Sequence, residues 1–404
     1  MRESIAEATM VNPTIKPSDI AKGKGIPFVP STIDQASAHI GRISREVQRA
    51  KRATNSGTTW RISDFEKVAD EIDERDDEYS GNSATEQSKL WKLSRPYLVS
   101  AGYEDGINYI FTMNSMISEL LANSEFIEAD ITYNETNEYP YLFNVVVFDD
   151  VTMQWTIVSR IRMDKQGKSA YQLAFSKTFA KCKADTPKFE VGKSLLGVII
   201  DWSDAEIQGL GGAVGPDVAR KLLKGCSVHW SRSWQRVRNR VLGSSDNEYE
   251  KKLFSLIASH IQNAPCGEQV AHCFEVLCGS KPASTLVGKI ANFSKEDAAY
   301  IQNECDWTIA QSWANWWTRP SHLEMLHKDY SEMDDIVWEK CPRDTNAVER
   351  KNRDSKDSTP NPLRSAMINL YKLDKSECAK HLAGDNQSKK RYRHTCTCNT
   401  GSNT

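Results

Sequence analysis

The apolar positions change their period along the chain. Between residues 32 and 52, Ile33, Ala36, Ile40, Ile43 and Val47 recur at three- and four-residue steps, the mark of one buried helix face. Thr32 with Gln35 three places on reads as a capping box at its start. A short helix over residues 17–22 and the breaker GKGIPFVP come before it, so a helix-turn-helix is expected in residues 1–56. Residues 57–125 read as mostly helical, a connecting or dimerising region. Its acidic stretch DEIDERDDEYSG would be repelled by a phosphate backbone.

At Phe126 the pattern turns to strands. FIEADITY, YLFNVVVFDD and WTIVSRIRM are β-rich runs with short polar links, which predicts an antiparallel meander. SAYQLAFSKTFAKCK follows as a helix with Ala170, Leu173, Ala174 and Phe175 on one side. SLLGVIID is a continuous apolar run, as a strand buried on both faces should be. A helix, a short strand near CSVHW and the basic helix SRSWQRVRNRV complete residues 126–243. The expected class is α/β: a mixed five-stranded sheet flanked by helices, in the element order of the ribonuclease H-like fold. Residues 244–340 read as an all-helical insertion carrying Trp313, Trp316 and Trp317. Residues 341–377 return to the sheet domain, and residues 378–404, with SKKRYRH, read as a loose polar tail.

Composition narrows the function classes. The chain has 404 residues, more than one ordinary domain holds, and 39 % of them are hydrophobic, enough for a real core. A net charge of -2 excludes a simple polycationic binder, so affinity for nucleic acid must come from local basic patches. Ten cysteines without a regular framework suit a reducing compartment, cytosol or nucleus. The opening MRESIAEATM lacks the apolar stretch of a signal peptide, and no run is long enough to span a bilayer, so no membrane role is expected.

Two carboxylates stand out. Asp130 lies inside a largely apolar strand, where a charge is costly unless it is paired or holds a cation. Asp201 ends the run LLGVIID, at the carboxyl end of a strand where α/β sheets place ligands; Asp204 competes with it for that role. Adjacent carboxylates of this kind suit divalent ions, which carry out phosphodiester chemistry in pairs. A third acid would then come from a helix.

EADITYN, IIDWSDAEIQGL, CSVHW and TNAVERKNRDS occur in that order, and together they resemble the Mutator-like element transposases, with a more distant similarity to hAT transposases. The resemblance covers roughly residues 126–355. It implies that Asp130, Asp201 and Glu349 are both the catalytic residues and the ligands of two Mg²⁺ or Mn²⁺ ions. It also implies that Cys226, His229, Asn346 and Asn352 support the site. The implied partner is double-stranded DNA, both terminal inverted repeats and target, bound by a homodimer in the nucleus. No zinc is expected at Cys226 and His229, nor at the tail's His394, Cys396 and Cys398, which resemble only the start of a SWIM motif. The zinc-binding recognition module that many of these transposases carry has no ligands in residues 1–60.

Basic residues are expected to contact DNA: Arg42, Arg45, Arg49 and Arg52 on the first helix, Arg232, Arg236 and Arg240 on the second, and Arg350, Lys351 and Arg353 beside the Glu. The bland alternative for each helix is a solvated face. Asn346 and Glu349 also form a fair capping box, in which case Glu349 would serve only the helix end. At the level of the whole chain, the alternatives are a domesticated DNA-binding regulator and a nuclease or resolvase of the same fold.

Overall fold

The structure, a computed structural model, describes residues 97–133, 136, 138–241, 248–305, 307–354 and 363–397. The expected helix-turn-helix, with Arg42, Arg45, Arg49 and Arg52, lies outside the described residues. In chain order the elements are β1 (Leu98–Glu104), β2 (Ile107–Thr112), α1 (Ser115–Ala122), β3 (Phe126–Tyr133), β4 (Tyr141–Asp149) and β5 (Gln154–Met163). Then come α2 (Lys168–Asp185), β6 (Gly197–Ile200), α3 (Asp204–Val214), α4 (Pro216–Leu222), β7 (Leu223–Gly225) and α5 (Ser227–Val241). Helices α6 (Glu248–Asn263), α7 (Gly267–Leu277), α8 (Lys295–Glu304), α9 (Thr308–Trp317), α10 (Pro320–Leu326) and α11 (Asp335–Lys340) follow. The last two elements are α12 (Asn346–Asp354) and α13 (Leu363–Thr397). The class is α/β, as expected.

The sheet has seven strands, not five, in the order β1-β2-β5-β4-β3-β6-β7. Strands β3, β6 and β7 run parallel and the other pairs antiparallel. The two additional strands replace the helix expected before residue 126. Their turn is Asp105-Gly106, both at positive φ (51° and 80°), the Asp-Gly pair that a two-residue hairpin favours. The alternation in LVSAGYE and INYIFT, taken with that turn, was the available signal. The tail differs too: α13 continues as helix to Thr397. Its first turns are anchored, with Leu363, Met367, Tyr371 and Cys378 buried.

Phe143 of β4 meets Phe175 of α2 edge-on at 5.0 Å between ring centres, and α2 covers this face of the sheet with eight buried positions. Helix α3 packs closely on α2 because Gly209 has no side chain; a Cβ there would come within 2.4 Å of Tyr171 Cβ. Trp313 and Trp317 of the helical stretch are core, and Trp316 is half-buried against them. Trp317 lies 4.5 Å from Trp230 and 4.6 Å from Trp202, and Trp313 Nε1 donates to Ser233 Oγ at 2.9 Å. They dock α9 on α5 and on the turn after β6. Among the described residues, no helix is long and apolar enough to cross a membrane.

On the opposite face a polar row crosses the hydrogen-bonded sheet. Thr112, Arg160, Asn144 and Asp130 are direct cross-strand neighbours on β2, β5, β4 and β3. Arg160 is buried and meets Asp374 of α13 through Nε (3.0 Å) and Nη2 (2.8 Å), while its Nη1 donates to Asn144 Oδ1 at 3.1 Å. Tyr97 also donates its hydroxyl to Asp374. Such a pair is worth little over an apolar substitute, but breaking it leaves a buried charge. Asp374→Ala should therefore destabilise the protein by about 3–5 kcal/mol in urea unfolding. A loss under about 1 kcal/mol would mean that water or another acceptor takes over.

Candidate active site

Strands β3 and β6 bring two acids together. Glu128 pairs with Ile199 in parallel register, so extending both strands by two residues puts Asp130 beside Asp201. Burial, then the charge of Asp201, pushes the Asp130 carboxyl up to about 7; the Ile131 amide and His229 offset part of this, and Glu349 adds to it. Asp130 Oδ2 accepts a hydrogen bond from Asn352 Nδ2 at 2.7 Å. Asn352 Oδ1 in turn accepts from Asn144 Nδ2 at 2.5 Å, which joins Asp130 to the row that ends at Arg160 and Asp374.

The third expected acid stands on α12. Glu349 takes a bidentate contact from Arg232, with Oε1 2.7 Å from Nη1 and Oε2 3.1 Å from Nη2, and its Oε1 lies 3.2 Å from His229 Nε2. His229 Nδ1 faces Asp201 Oδ1, so the ring bridges two of the three acids. Burial alone would lower the His229 pKa, but its contacts with Asp201 and Cys226 outweigh this and lift it to about 10. An imidazolium between Asp201 and Glu349 follows at neutral pH.

Glu349 is therefore no helix cap: its carboxylate meets Arg232 and His229 of α5, and the Asn346 N–H that it would cap donates to Asp344 instead. The competitor Asp204 is exposed and pairs with Arg319 at 3.0 Å, towards the helical stretch. Asn346, expected to support the site, is exposed, and its backbone N–H donates to Asp344 Oδ1 at 3.0 Å.

Cys226 and Glu128 set the position of α12. Cys226 is buried, and its Sγ accepts from Thr345 N (3.3 Å) and Thr345 Oγ1 (3.1 Å), just ahead of the helix. Lys224 Nζ donates to the carbonyls of Trp338 (2.6 Å) and Cys341 (2.8 Å), fixing the segment that leads there. Glu128 Oε2 accepts from Ala347 N and Val348 N, both at 3.1 Å, so a buried strand carboxyl holds the helix N-terminus. Val348 packs with Val146 and Ile157 beneath it. Glu128 was not expected; its signal was a second acid two residues before Asp130, on the same strand face.

The basic residues divide. Lys351 forms an ion pair with Glu377 of α13, and Arg232 is engaged by Glu349, so both expected DNA contacts have protein partners. Arg236, Arg350 and Arg353 are exposed, and Arg238 lies over the Trp234 ring at 5.8 Å. The Arg240 side chain lies outside the described set.

Asp201, Cys226 and His229 also place one donor atom each within 4.8 Å of one another. Among the described residues this is the set of three whose donor atoms lie that close, and its mixed oxygen, sulfur and nitrogen donors suit Zn²⁺.

Burial pushes the Glu128 carboxyl up to about 8, with the amides of Val348 and Ala347 opposing and the charges of Asp344 and Glu349 adding. An acid raised in the folded state stabilises below its unfolded value of 4.5 and loses that contribution as pH rises towards about 8. Glu128→Gln keeps an acceptor for α12 but cannot titrate. Its stability in urea should fall less than that of the wild type between about pH 5 and pH 8. Parallel curves would show that Glu128 ionises as freely in the folded protein as in the unfolded chain.

No protein-family model, characterised protein or solved structure matches the chain.

Proposed function

We propose that the chain is a DNA transposase of the Mutator-like type, acting through Asp130, Asp201 and Glu349. Its sheet would be a ribonuclease H-like catalytic domain, with α6–α11 as a helical insertion. One observation carries this reading: Asp130 inside β3 meets Asp201 just past the end of the neighbouring parallel strand β6, and a helix presents a third acid from across α5. The carboxylate oxygens of Asp130 and Asp201 fit hard divalent cations, because the charge of Asp201 raises the cost of ionising Asp130 unless positive charge is shared between them. When bound, two Mg²⁺ or Mn²⁺ ions would activate an attacking oxygen and stabilise the leaving one.

The rest of the work belongs to the side chains. Asn352 fixes the rotamer of Asp130 through its 2.7 Å hydrogen bond. His229 and Arg232 hold Glu349 close to the acid pair, ready to exchange those partners for a ligand role. Arg236, Arg350 and Arg353 present exposed guanidinium groups around the same site, suited to neutralising the backbone of double-stranded DNA. Synapsis of two transposon ends calls for a homodimer, and the substrate places the protein in the nucleus.

A second reading has its own observation, the Asp201, Cys226 and His229 set. It would make the protein a zinc-dependent hydrolase of nucleic acid. Metal content separates the two. The purified wild type should hold no zinc, and Cys226→Ser should change nothing in that measurement. Stoichiometric zinc in the wild type, lost in Cys226→Ser, would favour the second reading.

The main test uses DNA carrying candidate element ends with Mg²⁺ or Mn²⁺, followed by detection of nicks and joined products. Asp130→Ala, Asp201→Ala and Glu349→Gln should each abolish both products while DNA binding persists. Asn352→Ala, which frees Asp130, should cost about 10- to 100-fold in activity. Wild-type cleavage by Glu349→Gln would remove Glu349 from the site. A wild type that never cuts its own element ends with either metal would point instead to a DNA-binding regulator.

A further inference from the structure

Trp202 follows Asp201 directly, and a single residue just past β7 grips the chain on both sides of that acid. The Cys226 N–H donates to the Ile200 carbonyl at 3.0 Å, and the Cys226 carbonyl accepts from Trp202 Nε1 at 2.8 Å. The buried indole also lies against Gly225 of β7, where an added Cβ would come within 2.2 Å of the ring. Glycine leaves the room that the indole needs. Trp202 meets the helical stretch as well. Trp317 of α9 stands edge-on to it at 4.6 Å between ring centres, and the His322 ring of α10 stacks on it at 6.3 Å. Trp317 also reaches Trp230 at 4.5 Å. One side chain of α9 therefore presses on the immediate neighbours of Asp201 and of His229, the two residues in contact at the site. Trp230 and Trp317 bury indole N–H groups that meet no acceptor among the described residues, whereas that of Trp202 is directed at the peptide that brackets Asp201. At the far end of the same turn, Asp204 pairs with Arg319, just ahead of α10, at 3.0 Å.

We propose that Trp202 is a positioning residue for Asp201, through which the docking of α9 on the sheet sets where that carboxylate stands. Groups that touch no metal still tune its affinity when they hold a ligand in place. This inference rests on the metal-dependent reading above and extends it to the helical stretch, which then takes part in shaping the site. The competing role is core filling: Trp202 would contribute apolar burial and nothing to the acid. Placing 3-benzothienylalanine at position 202 separates the two roles. It keeps the size and shape of the indole and puts sulfur where the N–H stands.

The experiment is calorimetric titration of the full chain with MnCl₂, checked by the electron paramagnetic resonance signal of free Mn²⁺. Wild type, Trp202→Phe, the benzothienylalanine protein and Asp201→Asn would be compared, with thermal unfolding of each metal-free protein. Phe175→Leu, in the core between α2 and the sheet, is the control for lost stability alone. Trp202→Phe and the benzothienylalanine protein should each bind Mn²⁺ about tenfold more weakly than wild type. Phe175→Leu should keep wild-type affinity although it unfolds at a lower temperature. If Trp202→Phe does not fold, the benzothienylalanine protein alone decides. Wild-type affinity in that protein, with affinity lost in Asp201→Asn, would overturn the role of Trp202 and leave the parent site standing. An equal loss in Phe175→Leu would also overturn it, because lowered stability would then account for the effect. A wild type that takes up no Mn²⁺ would overturn both.

Discussion

The rest of the site depends on the placement of two like charges on adjacent parallel strands. Asp130 and Asp201 cannot move apart without breaking the register of β3 with β6, and Asp130 responds by holding its proton up to about pH 7. Every polar group nearby answers that constraint. Asn352 donates to Asp130, His229 bridges Asp201 to Glu349, and Arg232 balances Glu349. The polar row across the sheet does the same on a larger scale. It links Asp130 through Asn352 and Asn144 to the buried Arg160, and from there to Asp374 on the last helix.

Helix α12 shows how such a site is held rigid. Nine residues form too short a helix to stand alone in water, so its position comes from its surroundings. Glu128 binds its first amides, Cys226 binds the residue before them, Val348 packs on β4 and β5, and Lys351 reaches α13. The Cys-x2-His pair therefore divides its labour. Cys226 fixes the entry to the helix, and His229 contacts the acid that the helix carries. Among the described residues, Glu349 itself is held by Arg232 and His229, partners that a cation could replace.

Much of this was legible in the chain. The three strands from Phe126, the buried strand ending before Asp201 and the basic helix after Cys226 all follow from period and breakers. The hairpin at Asp105-Gly106 was missed because a helical reading of the acidic stretch before it was carried too far. The composition of residues 378–404 reads as a loose tail, whereas α13 runs on to Thr397. Asp130 and Asp201 were visible as charges in apolar strands. Glu128 was not, because its significance lies in what faces it across the fold: an amide pair from a helix more than two hundred residues away. The partners of Arg232 and Lys351 were hidden for the same reason. A basic residue on an open helix face looks alike in sequence whether a phosphate or a distant carboxylate meets it.

The central claim is that Asp130, Asp201 and Glu349 act as one cation-binding unit. Crystals of the protein soaked in MnCl₂, with anomalous diffraction recorded at the manganese edge, test it most directly. The account predicts manganese peaks bounded by Asp130 and Asp201, with Glu349 released from Arg232 and turned towards them. A single peak seated on Asp201, Cys226 and His229, with Glu349 still paired to Arg232, would contradict it.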